Sequence, residues 1–107
     1  MLNEEELGEL MSACTNYNEQ IVLINWGTKD NNSNKCNNSI TLENVSVFSN
    51  EESVMFQEIC GNENSMSFAF NEIEDLYINI DNSLDGEQII HIVFDYFGIQ
   101  YAITNLM

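Results

Sequence analysis

The sequence predicts an α+β protein in which one N-terminal helix packs on a curled antiparallel sheet of about five to seven strands. Apolar residues recur at helical spacing only near the N-terminus, within residues 3–16. From residue 40 to residue 105, short apolar runs alternate with polar residues, which is the period of strands with one buried face. The chain has 107 residues, 44% of them hydrophobic, so residues 1–107 are expected to form one domain with its own core.

The predicted helix begins at Asn3, whose side chain can accept a hydrogen bond from a backbone N–H of the first turn. Asn3 and Glu6 have the spacing of a capping box, and residues 4–6 are all Glu, which the positive end of the helix dipole favours. One apolar stripe at i, i+3, i+4 and i+7 spacing consists of Leu7, Leu10, Met11 and Cys14. The stripe predicts that one face of this helix packs on the core.

A short apolar run at residues 20–26, closed by Gly27, predicts a buried strand. Residues 28–39 are polar and rich in Asn, without a helical or strand period, and therefore predict a loop. Residues 40–47 predict one strand, in which a change of phase near Asn44 indicates a β-bulge.

Three further strands are predicted at residues 54–59, 66–70 and 76–80. Residues 88–96 and 99–104 then predict a hairpin. Alternation places on the buried face of its first strand Ile90, Ile92, Phe94 and Tyr96. The opposite face mixes apolar and polar residues, so we expect it to be only partly covered.

The charge balance limits the function. The chain has 18 Asp and Glu, two Lys and no Arg, which gives a formal net charge of -16. Nucleic acids are therefore not expected as direct partners, because phosphate contacts depend on Lys and Arg, and an anionic membrane surface is equally unfavourable. A basic protein surface is the expected partner, and a homodimer is left open.

The N-terminus is acidic where a secretory signal is basic, and no run of 18 apolar residues follows. Three widely spaced cysteines, Cys14, Cys36 and Cys60, fit a reducing compartment better than a disulfide framework. We therefore expect the protein to act in the cytoplasm of a bacterial host cell.

The sequence favours a non-enzymatic protein without a cofactor. Its only histidine, His91, lies within an apolar run and outside any nucleophile motif. A zinc site would have to combine His91 with three cysteines that are all more than twenty residues from the next ligand, whereas structural zinc ligands usually come in close pairs. We therefore expect no metal at these residues.

The segment at residues 81–87 is the sharpest local motif. Asp81, Ser83, Asp85 and Gly86 match the opening of an EF-hand calcium loop. Position twelve, which should be a bidentate Glu, is Ile92, and the flanks are strands. We interpret the segment as a turn, with calcium binding as the alternative.

Many carboxylates of the β region have no local structural explanation. A surface of such carboxylates can copy the charge of duplex DNA, about one negative charge per 1.7 Å of axis, and so engage a basic groove. The alternative is that the acidity only keeps the protein soluble. The candidate partner-binding residues are Glu51, Glu52, Glu58, Glu72, Glu74, Asp75, Asp81, Asp85, Glu87 and Asp95.

In length, charge, Asn-rich composition and helix-plus-sheet outline, the chain resembles the small acidic anti-defence proteins of phages, most familiarly the anti-CRISPR proteins. The resemblance rests on no motif, so it transfers no functional residue. It implies a non-enzymatic inhibitor that occupies the nucleic-acid-binding or substrate-binding surface of a CRISPR effector. Two alternatives are an immunity protein that neutralises a bacterial nuclease toxin and a phage structural or assembly protein.

Overall fold

The computed structural model describes residues 2–28, 38–59, 63–82 and 88–106. Their elements are α1 (Glu4–Thr15), β1 (Val22–Thr28), β2 (Asn38–Leu42), β3 (Val45–Ser49), β4 (Ser53–Glu58), β5 (Ser65–Ala69), a 3-10 turn (Phe70–Glu72), β6 (Ile73–Asn82), β7 (Gln88–Tyr96) and β8 (Ile99–Asn105). The strands form a five-stranded antiparallel sheet in the order β2-β1-β8-β7-β6 and a three-stranded one in the order β3-β4-β5. The predicted α+β class is confirmed, whereas the single curled sheet of five to seven strands is wrong.

The N-terminal helix is confirmed. The side chain of Asn3 accepts from the backbone N–H of Glu6 at 2.8 Å, and the Glu6 carboxylate accepts from the N–H of Asn3 at 3.2 Å. This capping box fixes the first turn. Leu10 and Cys14, from the predicted stripe, are buried and point α1 at the core.

The predicted continuous strand at residues 40–47 is wrong, because the chain passes there from one sheet to the other. Leu42 ends β2 and Val45 begins β3, and both are buried although they are three residues apart. Side chains at i and i+3 of a regular strand point to opposite faces, so the chain must turn between them. It does so at Asn44, whose φ of 51° lies in the left-handed region.

The loop predicted at residues 28–39 is too long at both ends, because its first residue and its last two residues belong to strands. Thr28 still belongs to β1, where it pairs with Ile99, and Asn38 and Ser39 already belong to β2. Residues 29–37 lie outside the described residues. Strand pairing therefore extends into polar sequence that carries no strand period.

The core lies between the two sheets, and Phe68 of β5 is at its centre. Its ring contacts the rings of Phe94 and Tyr101 with centroid distances of 5.0 Å, and that of Tyr96 at 5.2 Å, all edge-on. Aromatic rings prefer such edge-on pairs, which add to the free energy gained by burial. The cluster joins the three-stranded sheet to β7 and β8.

The predicted β7–β8 hairpin is confirmed. Its turn has positive φ at both central residues, 53° at Phe97 and 77° at Gly98. These values are those of a type I′ turn, whose twist matches that of the two strands. Along β7 the predicted inner residues Ile90, Ile92 and Phe94 are buried.

Tyr17, just after α1, is fully buried and ties the helix to the hairpin. Its hydroxyl donates to the carbonyl of Ile90 at 2.7 Å and lies 3.0 Å from the carbonyl of Ile103. The backbone pairing of β7 with β8 ends beside this point, at His91 and Thr104. The tyrosine therefore gives the interior carbonyl of Ile90 a hydrogen-bond donor beyond the last residue pair of the hairpin.

Asn105 completes this junction, because its side chain replaces a strand partner. Its oxygen accepts from the N–H of Ile90 at 2.8 Å, and its amide donates to the carbonyl of Gln88 at 2.9 Å and to the Gln20 side chain at 2.7 Å. Asn105 is only 2% exposed. The last residue of β8 is thus bonded both to β7 and to the segment that links α1 with β1.

We predict that Tyr17→Phe lowers the free energy of unfolding by about 1–3 kcal/mol, because it leaves the buried carbonyl of Ile90 without this donor. Urea unfolding followed by circular dichroism measures the change. Tyr77→Phe is the matched control, because Tyr77 is 61% exposed. Equal stability of the two variants would show that the Tyr17 hydroxyl does not hold the junction.

We also predict that stability falls in alkaline solution. Burial raises the pKa of the Cys14 thiol from 9.0 to about 12. The unfolded thiol loses its proton near pH 9.0 while the folded thiol keeps it, so the stabilisation is complete below that pH and is lost as the pH rises towards 12. Urea midpoints should therefore decrease above about pH 9, and less steeply in Cys14→Ala. The same slope in both proteins would contradict this assignment.

Candidate functional site

One face of the five-stranded sheet points away from the core and is called here the outer face. Along β7, the side chains of the outer face alternate with those of the buried residues Ile90, Ile92 and Phe94. The side chains of the outer face are exposed or half-buried. They include Leu23 and Asn25 of β1, Ala102 and Thr104 of β8, Ile89, His91, Val93 and Asp95 of β7, and Glu74, Tyr77, Asn79 and Asp81 of β6.

The middle of the outer face is largely apolar. One cross-strand row runs from Asn25 through Ala102 and Val93 to Tyr77. This row ends at Tyr77, which belongs to the edge strand β6 and is 61% exposed. An exposed tyrosine beside small apolar side chains is typical of the centre of a protein–protein interface.

Two acids face each other at one end of the outer face. Glu74 of β6 and Asp95 of β7 are direct cross-strand partners, so their Cβ atoms are about 5 Å apart. Glu74 is exposed and Asp95 is half-buried. Like charges in this position destabilise a sheet.

A β-bulge in β6 produces this arrangement. The register shifts between Glu74 and Tyr77, and Asp75 within the bulge has a φ of 53°. Because of the extra residue, Glu74 and Tyr77 lie on the same face although they are three residues apart. Strict alternation would have put Glu74 on the inner face with Ile78 and Ile80, so the sequence pattern alone does not reveal the pair.

The other end of the outer face carries His91. Its Nε2 lies 3.5 Å from a carboxylate oxygen of Asp81, and its Nδ1 lies 3.1 Å from the hydroxyl of Thr104. Hydroxyl, imidazole and carboxylate in a row are also the groups of a nucleophilic triad. Here Thr104 is the direct cross-strand neighbour of His91, whereas Asp81 lies diagonally from it on β6, and His91 and Asp81 are both accessible to water. Catalysis favours an enclosed site over an open sheet surface of this kind.

The other predicted contact residues are divided among several places. Glu72 and Asp75 are exposed and flank the start of β6, close in sequence to Glu74. Glu51 and Glu52 are exposed in the turn between β3 and β4. Two further predicted contacts, Asp85 and Glu87, lie outside the described residues.

Glu58 does not belong to the accessible surface, contrary to the sequence interpretation. It is 5% exposed, and its carboxylate accepts from the backbone N–H groups of Glu43 at 2.9 Å and Asn64 at 3.4 Å. It thus holds the turn between β2 and β3 to the end of β4. We assign Glu58 a structural role, because a carboxylate that satisfies backbone donors stabilises the fold.

Among the described residues, no group of three or more His, Cys, Asp or Glu side chains is arranged to hold a metal ion. Of the zinc candidates, Cys14 is buried in the core, while Cys36 and Cys60 lie outside the described residues. Of the calcium motif, Asp81 belongs to β6, and residues 83–87 are not described. Across the described ranges, α1 is too short to cross a membrane.

Comparison with known proteins adds no assignment. No family model matches the chain, and neither a curated protein nor a solved structure matches it.

We predict that Glu74→Lys stabilises the protein by about 0.5–1 kcal/mol, because it turns a like-charge cross-strand pair into an attractive one. Glu19→Lys is the control, since Glu19 is exposed beyond the end of α1 and the substitution makes the same change in net charge. Urea unfolding of both variants separates the pair from the general decrease in repulsion. Equal stabilisation by the two substitutions would contradict a specific Glu74–Asp95 repulsion.

Proposed function

We propose that the protein is a non-enzymatic inhibitor that binds a basic nucleic-acid-binding surface of a bacterial defence nuclease, with CRISPR effectors as the first class to test. The contacts would be made by the outer face, together with the exposed acids Glu72 and Asp75 at the start of β6. The observation that carries the proposal is the cross-strand pair of Glu74 and Asp95.

The pair supports binding because it concentrates negative charge at one end of the outer face. Glu74 is exposed and Asp95 is half-buried, so a partner can reach both carboxylates. Arg or Lys side chains of a partner would place positive charge beside both carboxylates at once, and hydrogen bonds between charged groups are stronger than neutral ones. A surface whose acids serve only solubility does not require two carboxylates in directly opposed positions.

The apolar centre of the outer face supports a protein as the partner. Interfaces between proteins commonly combine a central aromatic or apolar cluster with a charged rim. Tyr77 and Val93 would supply the centre, and Glu74 and Asp95 one part of the rim. A partner that normally binds nucleic acid presents both basic side chains and exposed apolar or aromatic groups.

The proposal places the protein in the cytoplasm of a bacterial host, where such nucleases act. It requires no cofactor and no chemistry at His91. The imidazole would stay beside Asp81 and Thr104 as part of the sheet surface.

We predict that the protein inhibits DNA cleavage by a purified CRISPR effector loaded with its guide RNA, within a panel of such effectors. Glu74→Lys should raise the concentration for half-inhibition about tenfold, the effect of losing roughly 1.4 kcal/mol of binding free energy. Inhibition should also weaken between about 50 and 300 mM salt, because exposed charges are screened. Glu19→Lys should inhibit like the unaltered protein.

Three outcomes would overturn the proposal in different ways. No inhibition across the panel, with inhibition of a nuclease toxin, would assign the protein to the immunity class. Inhibition insensitive to both salt and Glu74→Lys would exclude charge mimicry by the outer face. Self-association in light scattering without any inhibition would favour the structural or assembly alternative.

A further inference from the structure

A cleft of about 470 Å³ lies between the start of α1, the turn before β4 and the turn after β5. We propose that this cleft binds a basic side chain, arginine or lysine, flanked by an apolar residue on a protein partner. The residues that line the cleft are Leu2, Leu7, Glu51, Glu52, Ala69, Phe70 and Asn71. None of these residues belongs to the outer face defined above.

The floor of the cleft is apolar and fixed. Phe70 is 6% exposed, and its N–H donates to the carbonyl of Glu52 at 2.8 Å. The N–H of Ala69 donates to the Tyr96 hydroxyl at 2.9 Å, which ties the end of β5 to β7. Leu7 contributes a half-buried side chain from the first turns of α1. A partner group that entered this cleft would find an apolar surface already in place.

The rim of the cleft is acidic, and its backbone is also fixed. The Asn50 side chain accepts from the N–H of Glu52 at 2.7 Å and from that of Ser53 at 2.9 Å. This arrangement is an Asx turn, which sets the backbone from which the carboxylates of Glu51 and Glu52 project into solvent. The described residues provide no Lys or Arg to neutralise them.

An apolar floor below two carboxylates fits one kind of side chain best. Arginine and lysine bury an aliphatic stem and present a cation at its end. The stem would lie on Phe70 and Leu7, and the cation would reach the Glu51 and Glu52 carboxylates. An adjacent apolar residue of the partner would fill the rest of the cleft, since its volume exceeds that of one side chain.

The inference deepens the proposed function and rests on it for the identity of the partner. Asn71, which lines the cleft, is next to Glu72 in the chain and three residues before Glu74. The same basic partner can therefore contact both the cleft and the end of the outer face. The cleft is testable without the partner, so a failure of the cleft and a failure of the inhibitor proposal remain distinguishable.

The test is a titration of the isotope-labelled full chain with the peptide acetyl-Leu-Arg-Leu-amide, followed by amide NMR shifts. We expect the largest shifts at Leu7, Glu51, Glu52 and residues 69–71. The matched peptide carries citrulline in place of arginine, which keeps the shape and removes the charge. It should bind about fivefold more weakly, the upper end of the range for exposed ion pairs.

The double variant Glu51→Gln/Glu52→Gln should bind the arginine peptide more weakly by the same factor. Its control is Glu19→Gln/Glu43→Gln, which removes equal charge from exposed sites near the other end of α1, about 18 Å away along a helix of 12 residues. Shifts centred on Glu74 and Asp95, equal effects of both double variants, or no shifts at all would each overturn the cleft assignment. Unchanged circular dichroism of the variants shows that their folds are intact.

Discussion

The position of the Tyr17 hydroxyl between the carbonyls of Ile90 and Ile103 is the interaction on which the rest of the structure depends. A helix of 12 residues is marginal by itself in water, so α1 needs tertiary contacts to persist. Tyr17 and Asn105 provide them where β7 and β8 cease to pair. The cleft has one wall from α1, and the sheet that carries the outer face ends at the same junction. Both candidate surfaces therefore depend on a polar connection inside the core.

The strong negative charge makes this core necessary. A net charge of -16 favours expansion of the chain, and no Lys or Arg in the described residues offsets it locally. The aromatic cluster around Phe68 opposes the repulsion by joining the two sheets. Glu58 shows another solution, because its carboxylate satisfies backbone donors of two neighbouring segments. At the start of β6, by contrast, Glu74 and Asp95 are direct cross-strand neighbours on the outer face.

Local sequence signals predicted the elements that depend on local physics. The capping box at Asn3 and Glu6, the helix and the β7–β8 hairpin follow from residues close together in the chain. The division into two sheets could not be predicted in this way, because a turn at Asn44 and a bulge at that position give the same change of phase in a sequence. The candidate partner-binding residues were predicted one by one from the sequence, Glu74 and Asp95 among them, but their arrangement in space was not. The Glu74–Asp95 pair depends on a bulge and a register, and the role of Glu58 depends on backbone groups distant in the chain.

Charge alone would make this protein a poor inhibitor of any particular nuclease, because every nucleic-acid-binding protein presents a basic surface. Selectivity requires contacts that a wrong partner cannot satisfy. The row that ends at Tyr77 and the apolar floor formed with Phe70 are contacts of this kind, since each must be covered by a partner surface of matching shape. The acids would then speed encounter and orient the partner, as complementary charges commonly do. The residues that attract a partner would then differ from those that discriminate between partners, although the bulge in β6 brings Glu74 and Tyr77 to one face.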